Sequence, residues 1–349
     1  MRHSYLTLSS PIVLFLACLS AAGQQPEMAR ARVDQSPASG GLPAAIASAT
    51  RGDSGPSWIG YSLPAAPESG RNGRRTHGWN SCTADLEEGM NITGGTDSSE
   101  RPTPRRILVF LRVRGQQVEK IRMFDENCRI NADDMIVHWL TSVVPAQSVA
   151  LLRGYIENPS ADDRGGALAA IASTDDPSAD DAMQHFTSSS SPTKLRKDSV
   201  FWLGAARGQK GYQMLRTIVK NDESDEVRDQ AVFALSISPA PEAVDTLIDV
   251  ARHDPNSHLR GQALFWLANI AGARAAGTIS SAVENDPDTQ VKKRAVFALS
   301  QLPPDQGIPL LIKTAQTNTN PEVRKQAFFW LGQSHDPRAL DFITQVLTN

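Results

Sequence analysis

The residues that could carry chemistry in this sequence are few and scattered. A Gly-Asp-Ser-Gly-Pro run at 52–56 is of the kind that surrounds a nucleophilic serine, but no ordered β domain precedes it to supply His and Asp. The seven histidines include no His-x-x-x-His pair, so no helical zinc site is indicated. The turn Asn285–Asp288 could hold Ca²⁺ only weakly, because it lacks the glycine and terminal glutamate of an EF-hand loop. We predict no catalytic, cofactor-binding or metal-ligating residues.

The N-terminus and the cysteines indicate export. Residues 1–23 combine a basic start, a short apolar core at 12–19 and the small residues Ser20, Ala21 and Ala22, which suit a cleavage site. These are the parts of a secretory signal. The remaining cysteines, Cys82 and Cys128, then predict one disulfide, with two free thiols or a redox pair as alternatives. We expect a periplasmic or extracellular protein, with lipid attachment at Cys18 as the less favoured alternative.

A 32-residue repeat dominates the C-terminal part of the chain. The row Val-Arg-Asp-Gln-Ala-Val-Phe-Ala-Leu at 227–235 recurs, with related residues and no insertion, at 259–267, 291–299 and 323–331. Each row predicts one helix, and a break that often contains proline separates it from a second apolar pattern of the same period. About seven helix pairs are predicted, with starts near 132, 164, 196, 228, 260, 292 and 324.

These rows and the Pro-led second helix resemble the HEAT-repeat family, in the short form known from phycobilin-lyase-type repeats. The resemblance covers about residues 132–349. It implies a mainly α fold, an armadillo/HEAT-like α-solenoid whose stacked helix pairs bury one continuous core. It implies little about function, because such arrays serve many roles.

The segment ahead of the repeats divides into two parts. Residues 24–56, rich in Ala, Pro, Ser and Gly, predict a flexible tether. Residues 57–131 predict a small disulfide-linked β module, with a hairpin over 106–124. The solenoid then occupies 132–349, and the apolar residues around Trp139 suggest that the β module covers the open face of its first repeat.

Two sets of aromatic residues recur with the repeat, and helical-wheel positions favour both as inter-repeat core over a ligand groove. They are Phe201, Phe233, Phe265, Phe297 and Phe329 in one column, and Trp202, Trp266 and Trp330, alternating with Ala234 and Ala298, in the other. In the core interpretation, a large residue of one repeat fills the space beside a small residue of the next.

A column of basic residues has the same period, and it consists of Arg164, Arg196, Arg228, Arg260, Lys292 and Arg324. The resemblance to HEAT repeats favours pairing of this column with the acidic turns at Asp222, Asp254 and Asp286 over a stripe that binds anions. Four other residues are expected to face solvent and to influence the choice of partner: Lys197, Asp229, Lys293 and Lys325.

Composition limits the classes of partner. The net charge of −3, from 35 basic and 38 acidic residues, gives no electrostatic footprint for nucleic acid or an anionic membrane. No stretch is long and apolar enough to span a bilayer. We predict a monomeric, non-catalytic scaffold that binds proteins and needs no cofactor. The alternatives are an accessory or lyase-like subunit that binds a small apolar ligand, and a self-associating envelope protein.

Overall fold

A computed structural model describes residues 25–67, 82–92, 105–161 and 164–348. The predicted export signal at 1–23 lies outside them. The described residues form an N-terminal module of strands with one helix, followed by a long series of helices. None of the described helices is long and apolar enough to cross a membrane.

In the described ranges, the N-terminal module consists of nine strands and one helix. They are β1 Met28–Ala29, β2 Arg32–Pro37, α1 Leu42–Ala49, β3 Ser57–Pro64, β4 Cys82–Asp85, β5 Gly89–Ile92, β6 Arg106–Arg114, β7 Gln117–Asp125, β8 Arg129–Asn131 and β9 Ile136–Thr141. The main sheet has the order β2-β9-β3-β6-β7, and a second sheet has the order β1-β8-β4-β5. The predicted hairpin is the antiparallel pair β6–β7.

The main sheet is covered on both faces, which is why β3 is almost continuously apolar. Trp58 and Trp139 pack on one face in a cluster that the second sheet completes. Tyr61 points to the other face and joins the core of the helices. Gly60 lies between two aromatic rings, because a Cβ there would approach the rings of Phe110 and Trp139 to 2.8 Å.

Ordered elements occupy the segment for which a flexible tether was predicted, 24–56. β2 pairs in parallel with β9 along its whole length, and α1 buries Leu42 and Ile46 against the core. The low-complexity composition misled the prediction because alanine is the strongest helix former. The few large apolar residues here are also the ones that become buried.

The start of the helical array also differs from the prediction. Residues near 132 were assigned to a first, degenerate repeat, but β9 runs from Ile136 to Thr141 and pairs with β2 and β3. Its β-branched and aromatic residues suit a strand buried on both faces. The predicted second helix of that unit is present as α2, Pro145–Glu157.

Six helix pairs follow α2. The first helices are α3 Gly165–Ser173, α5 Thr193–Ala206, α7 Asp225–Ile237, α9 Ser257–Ile270, α11 Thr289–Ser300 and α13 Pro321–Gln333. The second helices are α4 Pro177–Phe186, α6 Gly208–Asn221, α8 Ala243–His253, α10 Ala273–Asn285, α12 Pro304–Thr317 and α14 Pro337–Thr348. Neighbouring first helices contact one another extensively, whereas neighbouring second helices barely touch. The first helices therefore form the more closely packed side of the array.

The N-terminal module caps the first repeat. Gly166 of α3 lies so close to β7 that a Cβ would come within 2.1 Å of the Ile121 carbonyl oxygen. The Tyr61 hydroxyl hydrogen-bonds with Ser148 Oγ of α2 at 2.8 Å. The Ala66 N–H donates to the Ser173 carbonyl at the end of α3 at 2.8 Å. One hydrophobic cluster runs from the main sheet to the last repeat, so module and solenoid share a core.

The backbone register is compatible with the predicted disulfide. In the parallel pair β4–β8, Thr83 lies opposite Arg129. The residues that precede them, Cys82 and Cys128, are therefore neighbours at the start of the β4–β8 pair. The bond between them stays a prediction.

Candidate binding face along the first helices

The basic column is structural. The Arg196 and Arg228 guanidinium groups form ion pairs with the turn carboxylates of Asp222 and Asp254, and Arg260 bonds Asp286 through two nitrogens at 2.8 and 2.9 Å. Three further members bond backbone carbonyls instead: Arg164 donates to Asn158, Lys292 to Glu284 and Arg324 to Asn318. The predicted Asp–Arg pairs are therefore present in the middle of the array only, at α5, α7 and α9.

Each turn carboxylate is used twice. Asp286 Oδ1 also accepts from the Asp288 N–H at 2.9 Å, and Asp222 and Asp254 accept in the same way from the residue two positions on. The hydrogen bond and the charge of Asp286 raise the pKa of the Arg260 guanidinium. With Arg196, Arg228 and Arg260 all under a tenth exposed, this column offers no anion-binding stripe to solvent.

Each first helix carries a solvent-facing stripe on the side opposite its buried residues. In α7, Val227, Ala231 and Leu235 are fully buried. Asp229 and Phe233 are only partly buried and lie four residues apart on the opposite side. The same positions recur every 32 residues, so the stripes of neighbouring helices join into one continuous face.

Eight aromatic side chains cross this face, and we call them the aromatic ladder. In spatial order they are Trp202, Phe201, Phe233, Trp266, Phe265, Phe297, Trp330 and Phe329. Successive ring centroids lie 4.8 to 6.2 Å apart, within the range of favourable aromatic pairs. Two parallel pairs, Phe201–Phe233 and Phe265–Phe297, are linked through Trp266.

The prediction that both aromatic columns lie in the inter-repeat core holds only for the tryptophans. Trp202, Trp266 and Trp330 pack against the core while remaining partly exposed. The phenylalanine column lies at the surface, and Phe329 is 52% exposed. On the helical wheel Val232 and Phe233 lie on opposite flanks; the neighbouring repeat covers Val232 completely and leaves Phe233 half-buried. The wheel does not indicate which flank is covered.

A row of charged residues runs beside the ladder. In its N-terminal part these residues contact charged or polar side chains of neighbouring first helices. Lys197 bonds Glu226 of the next repeat at 3.0 Å. His258 Nε2 lies 3.2 Å from Asp229, and its Nδ1 lies 3.2 Å from Arg294 Nη1. Arg294 also donates to the His258 carbonyl at 3.2 Å. These contacts link four consecutive first helices.

The C-terminal part of the same row has free charge. Lys293 and Lys325 stand four residues before Phe297 and Phe329, and within the described residues neither makes an ion pair. Gly261 occupies the equivalent position of α9 and makes room for Arg294, whose Cδ lies 2.5 Å from where a Cβ would be. The structure thus places Lys197, Asp229, Lys293 and Lys325, the predicted partner-facing residues, beside the ladder.

The best-formed clefts among the described residues lie elsewhere and are polar. The larger, about 450 Å³, lies between α8 and α10 and is lined by Arg252, His253, Ser281, Asn285 and Asp286 among others. The smaller, about 170 Å³, lies at the end of α12 beside Glu284 and Lys313. In the described ranges no group of three His, Cys, Asp or Glu could hold a metal ion.

One site was not predicted from the sequence: the buried side chain of His138 lies between two carboxylates, one of which is Asp53 of the Gly-Asp-Ser-Gly-Pro run. His138 of β9 is 4% exposed; its Nδ1 lies 2.7 Å from Asp34 and its Nε2 lies 2.9 Å from Asp53. Burial raises the pKa of the Asp53 carboxyl, but neighbouring Ser57 and His138 offset this and hold the pKa below its ordinary value. Both imidazole nitrogens face carboxylates, so neither is free to accept a proton from Ser54, and the site acts as a structural clamp.

Comparison with known proteins defines the class of the array. The model of the HEAT-repeat family matches residues 183–268 and 278–349, which include every helix pair from α5–α6 onward apart from the end of α9 and the start of α10. This part of the chain consists of HEAT repeats, as its repeating rows predicted. A search of curated proteins gave no match.

Several solved structures resemble part of the chain. Human deoxyhypusine hydroxylase in complex with glycerol is 15% identical, over 54% of this chain and 74% of its own, with a TM-score of 0.31. The complex of CpcE and CpcF of phycocyanin lyase from Nostoc sp. is 19% identical, over 58% of this chain and 81% of its own, with a TM-score of 0.33. Kap95p in its complex with RanGDP is 17% identical, over 59% of this chain and 33% of its own, with a TM-score of 0.35. Likenesses at this level carry no information on function.

Proposed function

We propose that this protein is a non-catalytic scaffold that binds a protein partner on the face of its first helices. The observation that carries the proposal is the aromatic ladder, a continuous apolar strip that spans five consecutive repeats and is left partly exposed to solvent. Contiguous exposed apolar surface rimmed by polar residues is typical of interaction sites, and aromatic side chains supply much of the binding energy in protein interfaces.

The architecture supports the same function. The shared core and the cap at α3 hold the repeats in fixed positions, so the face is largely preorganised and its binding costs little ordering entropy. The Asp–Arg pairs are buried at the turns and leave the first-helix face unobstructed. A monomeric solenoid fits this arrangement, because each internal repeat is covered by its neighbours on both sides.

Affinity capture with matched variants tests the proposal. The bait is the folded protein, either wild type or Phe265→Ala/Phe297→Ala, which removes one stacked pair from the centre of the ladder. Leu340→Ala is the control, because Leu340 is an apolar residue that is 65% exposed and lies on a second helix, α14, outside the ladder. We expect the wild type and the control to capture the same protein and the double variant to lose it, with unchanged circular dichroism spectra.

Two results would contradict this function. Equal capture by all three baits would remove the ladder from the binding face. A small apolar molecule that co-purifies with the wild type, in place of a protein, would favour the accessory or lyase-like alternative.

We also propose that the chain is exported, on the basis of the signal-like sequence at 1–23 and the cysteine pair Cys82 and Cys128. N-terminal sequencing of the protein from its native cells checks this. A mature chain that begins close after residue 23 is the expected result. A chain that retains residues 1–23 in the cytoplasmic fraction would contradict it.

A further inference from the structure

The residues beside the aromatic ladder indicate the chemistry of its ligand. One row of the first-helix face carries amides at three of five repeats: Gln230, Gln262 and Gln326, each three residues before a phenylalanine of the ladder. All three are half-buried, and within the part of the chain that the structure describes none of them has a hydrogen-bond partner. An amide side chain offers both a donor and an acceptor.

Unpaired amides in a regular row match an extended polypeptide better than a helix. The N–H and C=O groups of an extended chain are free to bond outward, whereas those in the body of a helix are satisfied internally. An extended chain that crosses the first helices can therefore present backbone donors and acceptors to these amides while its side chains contact the ladder.

The charges indicate the composition and the orientation of the ligand. Beside the N-terminal part of the ladder Lys197 is paired with Glu226, and Asp229 lies against His258. Beside the C-terminal part, Lys293 and Lys325 are not paired. A ligand with carboxylates at this end gains attraction without displacing an existing ion pair.

We propose that the ladder binds an extended segment of a partner protein that combines apolar or proline side chains with acidic residues, and that its acidic residues lie over α11 and α13. This inference rests on the proposed function and specifies the partner chemistry of the same face. Proline suits such a segment because it fixes an extended backbone in advance and leaves the carbonyls free.

Selection from a peptide library, followed by binding measurements, tests the inference. A phage-displayed library of random 12-residue peptides is panned on the full-length folded protein, and enriched sequences are synthesised with a fluorescent label for anisotropy titrations. We expect enrichment of Asp or Glu together with Pro or large apolar residues. The affinity should fall as salt rises, because unpaired surface lysines contribute.

Two double variants separate the contributions. Lys293→Gln/Lys325→Gln should weaken the selected peptide about three- to tenfold at low salt and flatten its salt dependence, as expected for two exposed charge pairs. Gln230→Leu/Gln262→Leu should weaken it by a similar factor at every salt concentration, because the backbone contacts are uncharged. Lys220→Gln/Lys313→Gln, exposed lysines on second helices, should leave the affinity unchanged.

The outcomes distinguish this inference from the function on which it rests. Loss of binding in Phe265→Ala/Phe297→Ala, with full affinity in both the lysine and the glutamine variants, would leave the binding face in place and overturn the acidic, extended ligand. Enrichment of basic or uncharged peptides would overturn it as well. Binding that survives all three double variants would overturn both proposals.

Discussion

Gly166 controls the junction between the N-terminal module and the solenoid, and Gly166→Ala tests whether that junction supports the fold. The added Cβ would lie 2.1 Å from the Ile121 carbonyl oxygen, so α3 must move away from β7 by about 1 Å to reach ordinary contact. Overpacking of this kind costs about 1–3 kcal/mol. Because the strain falls at the interface, we expect the amides of β7 and α3 to lose hydrogen-exchange protection first.

Gly154→Ala in α2 is the matched control, because no atom lies within 4 Å of its Cβ position. It should be neutral or stabilise by up to about 1 kcal/mol, the difference in helix propensity. A gap of about 1–4 kcal/mol between the variants corresponds to melting temperatures that differ by roughly 2–6 °C in a chain of this size. Calorimetry and hydrogen exchange measure both effects. Equal melting temperatures and equal protection of β7 would refute the view that the module is an integral cap.

Three further predictions concern the interior. Arg207→Met should destabilise the protein by about 1–3 kcal/mol, as measured by urea unfolding, because two buried carbonyls at the end of α3 lose the guanidinium that donates to them. The lowered pKa of Asp53 contributes stability above the unfolded-state pKa that is lost as pH falls through the folded-state pKa. The deficit of Asp53→Asn, about 1–3 kcal/mol with the contact to His138 Nε2 weakened, should therefore be present at pH 7 and shrink below about pH 4. Mass spectrometry of a non-reduced digest should show Cys82 linked to Cys128.

Each of these predictions can fail clearly. Unchanged stability in Arg207→Met would mean that the bonds to α3 contribute nothing measurable. An Asp53→Asn deficit that is the same at pH 7 and pH 3 would assign its effect to packing rather than to charge. Two separately alkylated cysteine peptides from the untreated protein would exclude the disulfide.

The solenoid was predictable because its information is local and repeated. The buried positions of α7, such as Val227 and Leu235, recur with the same period in the other first helices. A pattern that recurs at fixed spacing specifies both a helix and its stacking on the neighbour. The Asp–Arg pairs were expected from the resemblance to HEAT repeats, and the period located their members, such as Arg260 and Asp286.

The N-terminal module was less predictable because its contacts join residues distant in sequence. β2 pairs with β9 about a hundred residues later, with Arg32 opposite Ile136, and His138 meets Asp34 and Asp53 only through that pairing. No local period marks such contacts. The exposure of the aromatic ladder was missed for a related reason: a helical wheel gives the direction of Phe233 but not whether the neighbouring repeat covers it.

The alternation of Trp and Ala sets the true unit of the array at two repeats. Phenylalanine recurs every 32 residues, but tryptophan recurs only every 64, at Trp202, Trp266 and Trp330. Excision of two consecutive repeats would preserve this alternation, whereas excision of one would place two tryptophans or two alanines side by side. An engineered array of altered length should therefore be shortened or extended in steps of 64 residues, with each step changing the length of the aromatic ladder.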